Sequence, residues 1–116
     1  MTPIDVKTIV ETYMAAWGEP DPTERQRLLA LIWQTDGVYA DPMTQASNRV
    51  ELDKVIAHFL EHNPEARFTL EGEIDYHNHY VRFYWVLHLS NGVKIPGMDY
   101  GEVTAAGKLT KIVGFF

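Results

Sequence analysis

Tyr13, Asp41 and Asp99 are far apart in the sequence, but their side chains are of the types that exchange protons with a substrate. Asp99 lies within an apolar segment, residues 95–103, which the pattern predicts to be a strand. A tight turn at Ala106-Gly107 joins this strand to the last predicted strand. A carboxylate in such a strand is either solvated on an outer face or held in a pocket, and Asp41 and Tyr13 would complete that pocket.

Two predicted helices come before Asp41. Tyr13 lies on the apolar stripe of the first helix, which Thr2 or Asp5 can cap and which Gly18 ends. The second helix carries a start signal made of Asp21 at the N-cap, Pro22 at N1 and Glu24 at N3. The first apolar stripe consists of Val6, Ile9, Val10, Tyr13, Met14 and Trp17, and the second of Leu28, Leu29, Leu31, Ile32 and Trp33.

A short strand over residues 38–41 follows a turn at Asp36-Gly37, and alternation places Tyr39 and Asp41 on one of its faces. Residues 43–48 form a polar loop, after which Asn48 and Glu51 have the spacing of a capping box at the start of a third helix. The buried stripe of this helix is predicted to be Leu52, Val55, Ile56, Phe59 and Leu60.

Strand patterns fill the remainder of the chain. Residues 67–76 form one strand with a bulge at Gly72, and a turn at Asn78-His79 leads into a strand over residues 80–89. Both faces of that strand carry large apolar groups, so we expect helices to cover one face and a second copy of the chain to cover the other. Three helices around one short strand, followed by four strands, predict an α+β fold with an antiparallel sheet.

The composition bounds the class of protein. A chain of 116 residues with 46% hydrophobic residues is one globular domain, residues 1–116. The net charge of −6 and the absence of a basic cluster argue against nucleic acids and anionic membranes as partners. There is no cysteine, no apolar run of transmembrane length and no signal-peptide pattern, so we expect a cytoplasmic protein.

Four segments resemble the NTF2-like superfamily, in particular its SnoaL-like and ketosteroid-isomerase-like branch. They are residues 9–17 (Ile-Val-Glu-Thr-Tyr-Met-Ala-Ala-Trp), residues 39–42 (Tyr-Ala-Asp-Pro), residues 96–99 (Pro-Gly-Met-Asp) and residues 107–109 (Gly-Lys-Leu). The resemblance implies an NTF2-like cone in which three N-terminal helices pack on a curved, mainly antiparallel sheet around an internal pocket. It also implies a homodimer that forms through the outer face of the sheet.

The resemblance also implies roles for the three residues of the predicted pocket, because each matches a catalytic residue of the steroid isomerases in type and order. Asp41 would be the base that takes a proton from carbon next to a carbonyl. Tyr13 and a protonated Asp99 would hold the enolate oxygen, a logic for which this family is itself a standard example. The substrate would be a small hydrophobic carbonyl compound, with no cofactor and no metal. We expect the substrate-binding residues to be Trp17, Tyr39, Phe59, Tyr84, Val86, His88, Met98 and Phe115.

Simpler structural roles compete with these assignments. Asp41 can be a turn residue that caps the loop after Pro42, and Asp99 can be an outward carboxylate paired with Lys94 or Lys108. Tyr13 can be a core residue with one hydrogen bond. Two histidine pairs, His58/His62 and His77/His79, have ligand-like spacing, but two histidines are a poor metal site, and surface histidines are the better interpretation.

Two further functions remain compatible with the sequence. One is a SnoaL-like polyketide cyclase or lyase, in which Asp99 alone is the acid/base and Tyr13 is structural. The other is a non-catalytic dimer that binds a small molecule in the same cone. No phosphate-binding glycine loop or nucleophile elbow is present in the sequence, so a covalent mechanism lacks support.

Overall fold

The computed structural model describes residues 3–116 of the chain. Its helices are α1 (Pro3–Ala16), α2 (Pro22–Ile32) and α3 (Arg49–His62). Its strands are β1 (Trp33–Ala40), β2 (Gln45–Ala46), β3 (Arg67–His77), β4 (Tyr80–His88), β5 (Lys94–Val103) and β6 (Leu109–Phe115). The six strands form one sheet in the order β2-β1-β6-β5-β4-β3. Only β1 and β6 pair in parallel, so the predicted α+β fold with a mainly antiparallel sheet is confirmed.

The starts of α2 and α3 follow the predicted capping signals, whereas the predicted cap Asp5 lies inside the first turn of α1. The Asp21 carboxylate accepts a hydrogen bond from the backbone N–H of Glu24 at 3.0 Å, and the Asn48 side chain accepts one from Glu51 at 2.9 Å. The Glu51 carboxylate accepts from the backbone N–H of Ser47 at 2.8 Å instead of closing the box on Asn48. The predicted cap Thr2 lies outside the described residues.

Strand β1 is longer than predicted. It begins at Trp33, directly after α2, and the predicted turn at Asp36-Gly37 lies inside it as an irregularity in the pairing with β6. The fully buried Trp33 indole N–H donates to the carbonyl of Gly37 at 3.2 Å, which holds the chain together across this irregularity. The predicted loop after Asp41 contains β2, which pairs with the end of β1.

The turns between the later strands lie where the sequence predicted them. Gly72 has a φ of 72°, and the β3–β4 register shifts between Glu71 and Asp75, so the predicted bulge is confirmed. Asn78 and His79 form the β3–β4 turn with φ angles of 49° and 69°, a left-handed conformation that asparagine tolerates well.

The described helices cover one face of the sheet. Val81, Phe83, Trp85 and Leu87 of β4 are buried beneath the helices, whereas Tyr80, Arg82 and Tyr84 on the other face are exposed. Buried Arg25 ties the helical layer together, since its Nε donates to Asp53 Oδ1 in α3 at 2.6 Å. None of the described helices combines the length and the apolar character needed to cross a bilayer.

Candidate active site

A cavity of about 730 Å³ lies between the helices and the inner face of the sheet. Its walls are mostly apolar, and two carboxyl groups and two phenols reach it. Six of the residues predicted for the site line this cavity: Tyr13, Trp17, Tyr39, Asp41, Phe59 and Asp99. Residues from α1, α3, β1 and β5 therefore meet at one place, although Tyr13 and Asp99 lie near opposite ends of the chain.

Asp99 is the buried acid of the cavity. It lies in β5 between Phe83 of β4 and Gly114 of β6, and only 5% of its surface is exposed. Burial raises the pKa of Asp99 to about 7, an interaction with the Trp85 side chain opposes this rise, and the Asp41 charge adds to it. A group with this pKa is present in both protonation states at neutral pH, so it can donate a hydrogen bond or exchange a proton.

Asp41 is held by three hydrogen bonds. Its Oδ1 accepts from the backbone N–H groups of Met43 and Thr44 at 2.8 and 2.9 Å, and its Oδ2 accepts from the Tyr39 hydroxyl. Asp41 therefore caps the turn that follows it and also lines the cavity. An ionised carboxylate offers about four acceptor positions, so about one remains on Oδ2.

The absence of a side chain at Gly114 lets the two carboxyl groups approach each other. A Cβ at Gly114 would stand 2.9 Å from Asp99 Oδ1, 3.5 Å from Asp41 Cβ and 3.8 Å from the Tyr39 hydroxyl. All three groups thus converge on the same small area of β6. A methyl group there would press directly on the Asp99 carboxylate.

Tyr13 is buried in the core and lines the cavity. Its ring stacks on Trp33, with ring centroids 5.7 Å apart, and meets the edge of Phe83 at 6.3 Å. Burial, followed by the nearby Asp99 charge, raises the pKa of Tyr13 well above its ordinary value. Its hydroxyl therefore stays protonated and can act as a hydrogen-bond donor.

Aromatic rings form the apolar wall. Trp17 contacts Tyr39, Phe59 and Phe68 with centroid distances of 5.5–6.0 Å. Trp85 lies over Gly97 of the neighbouring strand, where a Cβ would stand 2.2 Å from its ring. Trp85 also lines the cavity, and it is a site residue that the sequence analysis did not identify.

Five of the predicted substrate-binding residues lie outside the cavity. Tyr84, Val86 and His88 alternate with the buried residues of β4 and therefore point to the outer face of the sheet. Met98 and Phe115 pair with each other on β5 and β6 and also do not line the cavity. The expected pocket position was wrong for all five, because the sequence showed two apolar faces without showing which one the helices cover.

His88 and Lys108 have structural contacts instead. The His88 imidazole is hydrogen bonded to the Thr69 hydroxyl at 2.9 Å, and burial, followed by the charges of Arg67 and Lys94, lowers its pKa. Lys108 Nζ donates to the carbonyls of Ala30 and Leu31 at the end of α2, at 2.8 and 2.9 Å. The alternative pairing of Asp99 with Lys108 is therefore wrong.

The rim of the cavity is polar along the last turns of α3. Lys54, His58, His62 and Asn63 line it there. Among the described residues, His58, Glu61 and His62 are the one group of three whose ligand atoms could hold a metal ion.

Comparison with known proteins supports this fold. A proposed isomerase of the SnoaL-like family from Agrobacterium tumefaciens strain C58 superimposes with a TM-score of 0.89 and 31% sequence identity, covering 97% of each chain. A proposed SnoaL-like polyketide cyclase from Jannaschia sp. CCS1 has a TM-score of 0.79 and 13% identity, covering 96% of this chain and 83% of that one. An NTF2-like protein of unknown function from Cytophaga hutchinsonii has a TM-score of 0.72 and 12% identity, covering 96% and 88%.

Comparison by sequence identified no relative, in contrast to the comparison by structure. No family model matches the chain, and no curated protein sequence matches it. The two more distant structures share only the fold, whereas the Agrobacterium protein is similar in both sequence and structure over nearly its whole length. With its three helices, its six-stranded sheet and this similarity, the chain belongs to the SnoaL-like family of NTF2-like proteins.

Proposed function

We propose that the protein is an acid/base enzyme that shifts a proton next to a carbonyl group of a small hydrophobic substrate. The observation that carries this proposal is the buried Asp99, whose pKa of about 7 keeps part of it protonated beside Asp41 in an apolar cavity. A carboxylic acid that remains protonated in such a place can donate a hydrogen bond to an oxygen that becomes negative during the reaction.

In the proposed reaction, Asp41 Oδ2 takes a proton from the carbon next to the carbonyl. The electron pair of the broken C–H bond forms the C=C bond of the enolate, and the carbonyl electron pair moves to oxygen. Asp99 and the Tyr13 hydroxyl donate hydrogen bonds to that oxygen. Asp41 then returns the proton to another carbon of the same molecule, so the substrate is isomerised and the enzyme regains its starting state.

The cavity supports a substrate of limited size and little polarity. Its volume of about 730 Å³ is in the range of small-molecule sites, and aromatic rings form much of its wall. Phosphate and nucleotide recognition would need positive charges inside the cavity, whereas the described acidic groups there are two carboxyl groups, and Lys54 lies at the α3 rim.

Deuterium exchange tests the proposal for any ketone of this class, whatever product it forms. Apolar ketones, including a β,γ-unsaturated 3-ketosteroid, are incubated with the protein in D₂O, and NMR follows deuterium next to the carbonyl. We expect exchange with the wild type and at least a roughly 100-fold slower rate with Asp41→Asn. For the steroid, absorbance of a conjugated enone reports isomerisation. Exchange that persists in Asp41→Asn, or an absence of exchange for every ketone that binds, would overturn the proposal.

A second candidate is a cyclase or lyase in which Asp99 alone is the acid/base. The hydrogen bonds of Asp41 favour it, because a loop residue with three donors needs no catalytic role to explain its position. The ring of Tyr13, which stacks on Trp33 and meets the edge of Phe83, likewise fits a core residue. Under this alternative, Tyr13→Phe leaves kcat nearly unchanged, whereas the isomerase mechanism predicts a large loss.

The pH dependence separates the same two mechanisms. If Asp99 must be protonated to donate a hydrogen bond, activity falls as the pH rises through about 7. If ionised Asp99 is the base, activity rises through the same range. A profile of kcat/KM between about pH 5 and 9 therefore identifies the role of this residue.

A further inference from the structure

We propose that His58, Glu61 and His62 bind a divalent transition-metal ion of the zinc class at the rim of the cavity. One imidazole nitrogen from each histidine and one carboxylate oxygen of Glu61 all lie within 4.8 Å of one another. Two imidazoles and a carboxylate are a ligand set that suits Zn²⁺, Ni²⁺ and Cu²⁺. The site lies outside the group formed by Tyr13, Asp41 and Asp99, and it does not depend on the proposed reaction.

The helix brings the three ligands together. Residues spaced i, i+3 and i+4 share one face of α3, and the rings of His58 and His62 have centroids 4.5 Å apart. In a tetrahedral site with bonds of about 2.0–2.1 Å, ligand atoms are about 3.3 Å apart, so the ligand atoms need to approach one another by up to about 1.5 Å. All three are exposed, and their rotation is not restricted by core packing.

A hydrogen bond prepares His62 for metal binding. Its Nδ1 lies 2.9 Å from the carbonyl oxygen of His58, and because a carbonyl only accepts, Nδ1 is the protonated nitrogen. In the neutral ring the lone pair is then on Nε2. Metal-binding histidines generally use their second nitrogen in this way, because the bond fixes both tautomer and ring orientation.

The charges around the group have both signs. Lys54 lies one helical turn before His58 and lines the same rim, where its ammonium group opposes a cation. The Glu61 carboxylate offsets that charge and supplies the third ligand. Three protein ligands leave a coordination position for water or another small molecule. Because His58 and His62 line the cavity, a metal there would be next to the entrance of any substrate.

Calorimetric titration of the metal-free full-length chain with ZnCl₂ tests the site. We expect one saturable site per chain, with affinity reduced at least about 10-fold in His58→Ala and in His62→Ala, and less strongly in Glu61→Gln. His79→Asn is the matched control: it removes an exposed histidine outside the cavity, and asparagine tolerates the left-handed backbone at this turn. Its affinity should equal that of the wild type.

Imidazole NMR provides the second measurement. Zn²⁺ should shift the ring signals of His58 and His62 and leave those of His77 and His79 in place. Circular dichroism of each variant checks that the fold is retained, which the exposure of all three side chains favours. A titration that does not saturate, or a His58→Ala/His62→Ala double variant that binds Zn²⁺ as tightly as the wild type, would overturn the proposal.

Discussion

Burial of Asp99 both raises the pKa of its carboxyl group and lowers the stability of the folded protein at neutral pH. The unfolded chain ionises this carboxyl near pH 3.9, whereas burial moves the pKa to about 7 in the folded protein. Between these values the folded state holds a proton that the unfolded state has released, so the stability that this proton contributes is fully present below about pH 3.9 and is lost as the pH rises through about 7. Burial of Asp99 thus lowers the stability of the fold at the neutral pH at which the proposed acid/base chemistry would use this group.

Asp99→Asn should remove this pH dependence. Asparagine has nearly the same shape and no charge. As the pH rises from about 5 to 8, we therefore expect the free energy of unfolding of the variant to increase relative to that of the wild type, by on the order of 2–4 kcal/mol. Urea unfolding at several pH values measures the difference. Parallel stability profiles for the two proteins would show that Asp99 is not a buried group with a raised pKa.

In the proposed mechanism Tyr39 would be a positioning residue, because its hydroxyl donates a hydrogen bond to the Asp41 carboxylate and has no bond to the reacting oxygen in that mechanism. Tyr39→Phe removes one of the three hydrogen bonds to that carboxylate and retains the aromatic ring beside Trp17. A hydrogen bond to a charged group contributes about 1.5–3 kcal/mol, so kcat should fall roughly 10- to 100-fold while KM changes little.

The control for this substitution is Tyr100→Phe. Tyr100 donates to the Glu102 carboxylate at 2.8 Å, also two residues along a strand, but outside the cavity. Its kcat should equal that of the wild type in the same ketone assay. Equal kcat values for Tyr39→Phe and the wild type would remove the positioning role.

At the scale of elements, the sequence predicted what depends on local pattern. Helical periodicity placed Tyr13, alternation placed Tyr39 and Asp41 on one face, and left-handed turn residues located the hairpins. The predictions from sequence were wrong where contacts between distant parts of the chain determine the structure. Asp36-Gly37 has the composition of a turn, yet it lies within β1, which pairs with β6 on both sides of it, at Trp33 and from Val38 onward.

The inner and outer faces of β4 show the same limit. Alternation separates Trp85 and Leu87 from Tyr84 and His88, but both sets contain large rings. Only the position of the helices decides which set meets the cavity, and that position depends on contacts between distant parts of the chain. Arg25 was missed for a related reason: an arginine with an acidic partner 28 residues away has no local signal.

Arg25 joins α2 to α3, and its removal should destabilise the fold. Its guanidinium donates to Asp53 at 2.6 Å and to the carbonyl of Glu19 at 3.0 Å, with 3% of the residue exposed. Arg25→Ala leaves a partly buried Asp53 with only the Gln26 amide, so we expect a loss of about 3 kcal/mol. Urea unfolding followed by tryptophan fluorescence measures it.

Arg27→Ala is the comparison on the same helix. Arg27 pairs with Glu24 at the surface, and exposed pairs contribute little. Its stability should stay close to that of the wild type. If both variants lose the same stability, the buried pair does not carry the contact between the helices.

At the scale of the whole molecule, the outer face of the sheet is the exposed apolar surface. Helices cover the inner face alone, and the outer face presents several large side chains at neighbouring positions. Tyr80 stacks on Tyr100 with centroids 6.1 Å apart, and Met98 pairs with Phe115, which is 55% exposed. Contiguous exposed apolar patches generally mark interaction sites, and a second copy of the chain would present the same surface in return.

The protein should therefore be a homodimer through this face. Light scattering at micromolar concentration should give twice the mass of one chain, and Tyr84→Lys, at the centre of the face, should give the mass of a single chain. Leu31→Lys is the control, because Leu31 is comparably exposed but lies on α2, on the opposite side of the sheet. A wild type that remains monomeric would refute the dimer. Dissociation of both variants would show that the contact does not depend on the outer face alone. Loss of the dimer in Tyr84→Lys alone would assign the contact to the outer face, away from the cavity of each subunit.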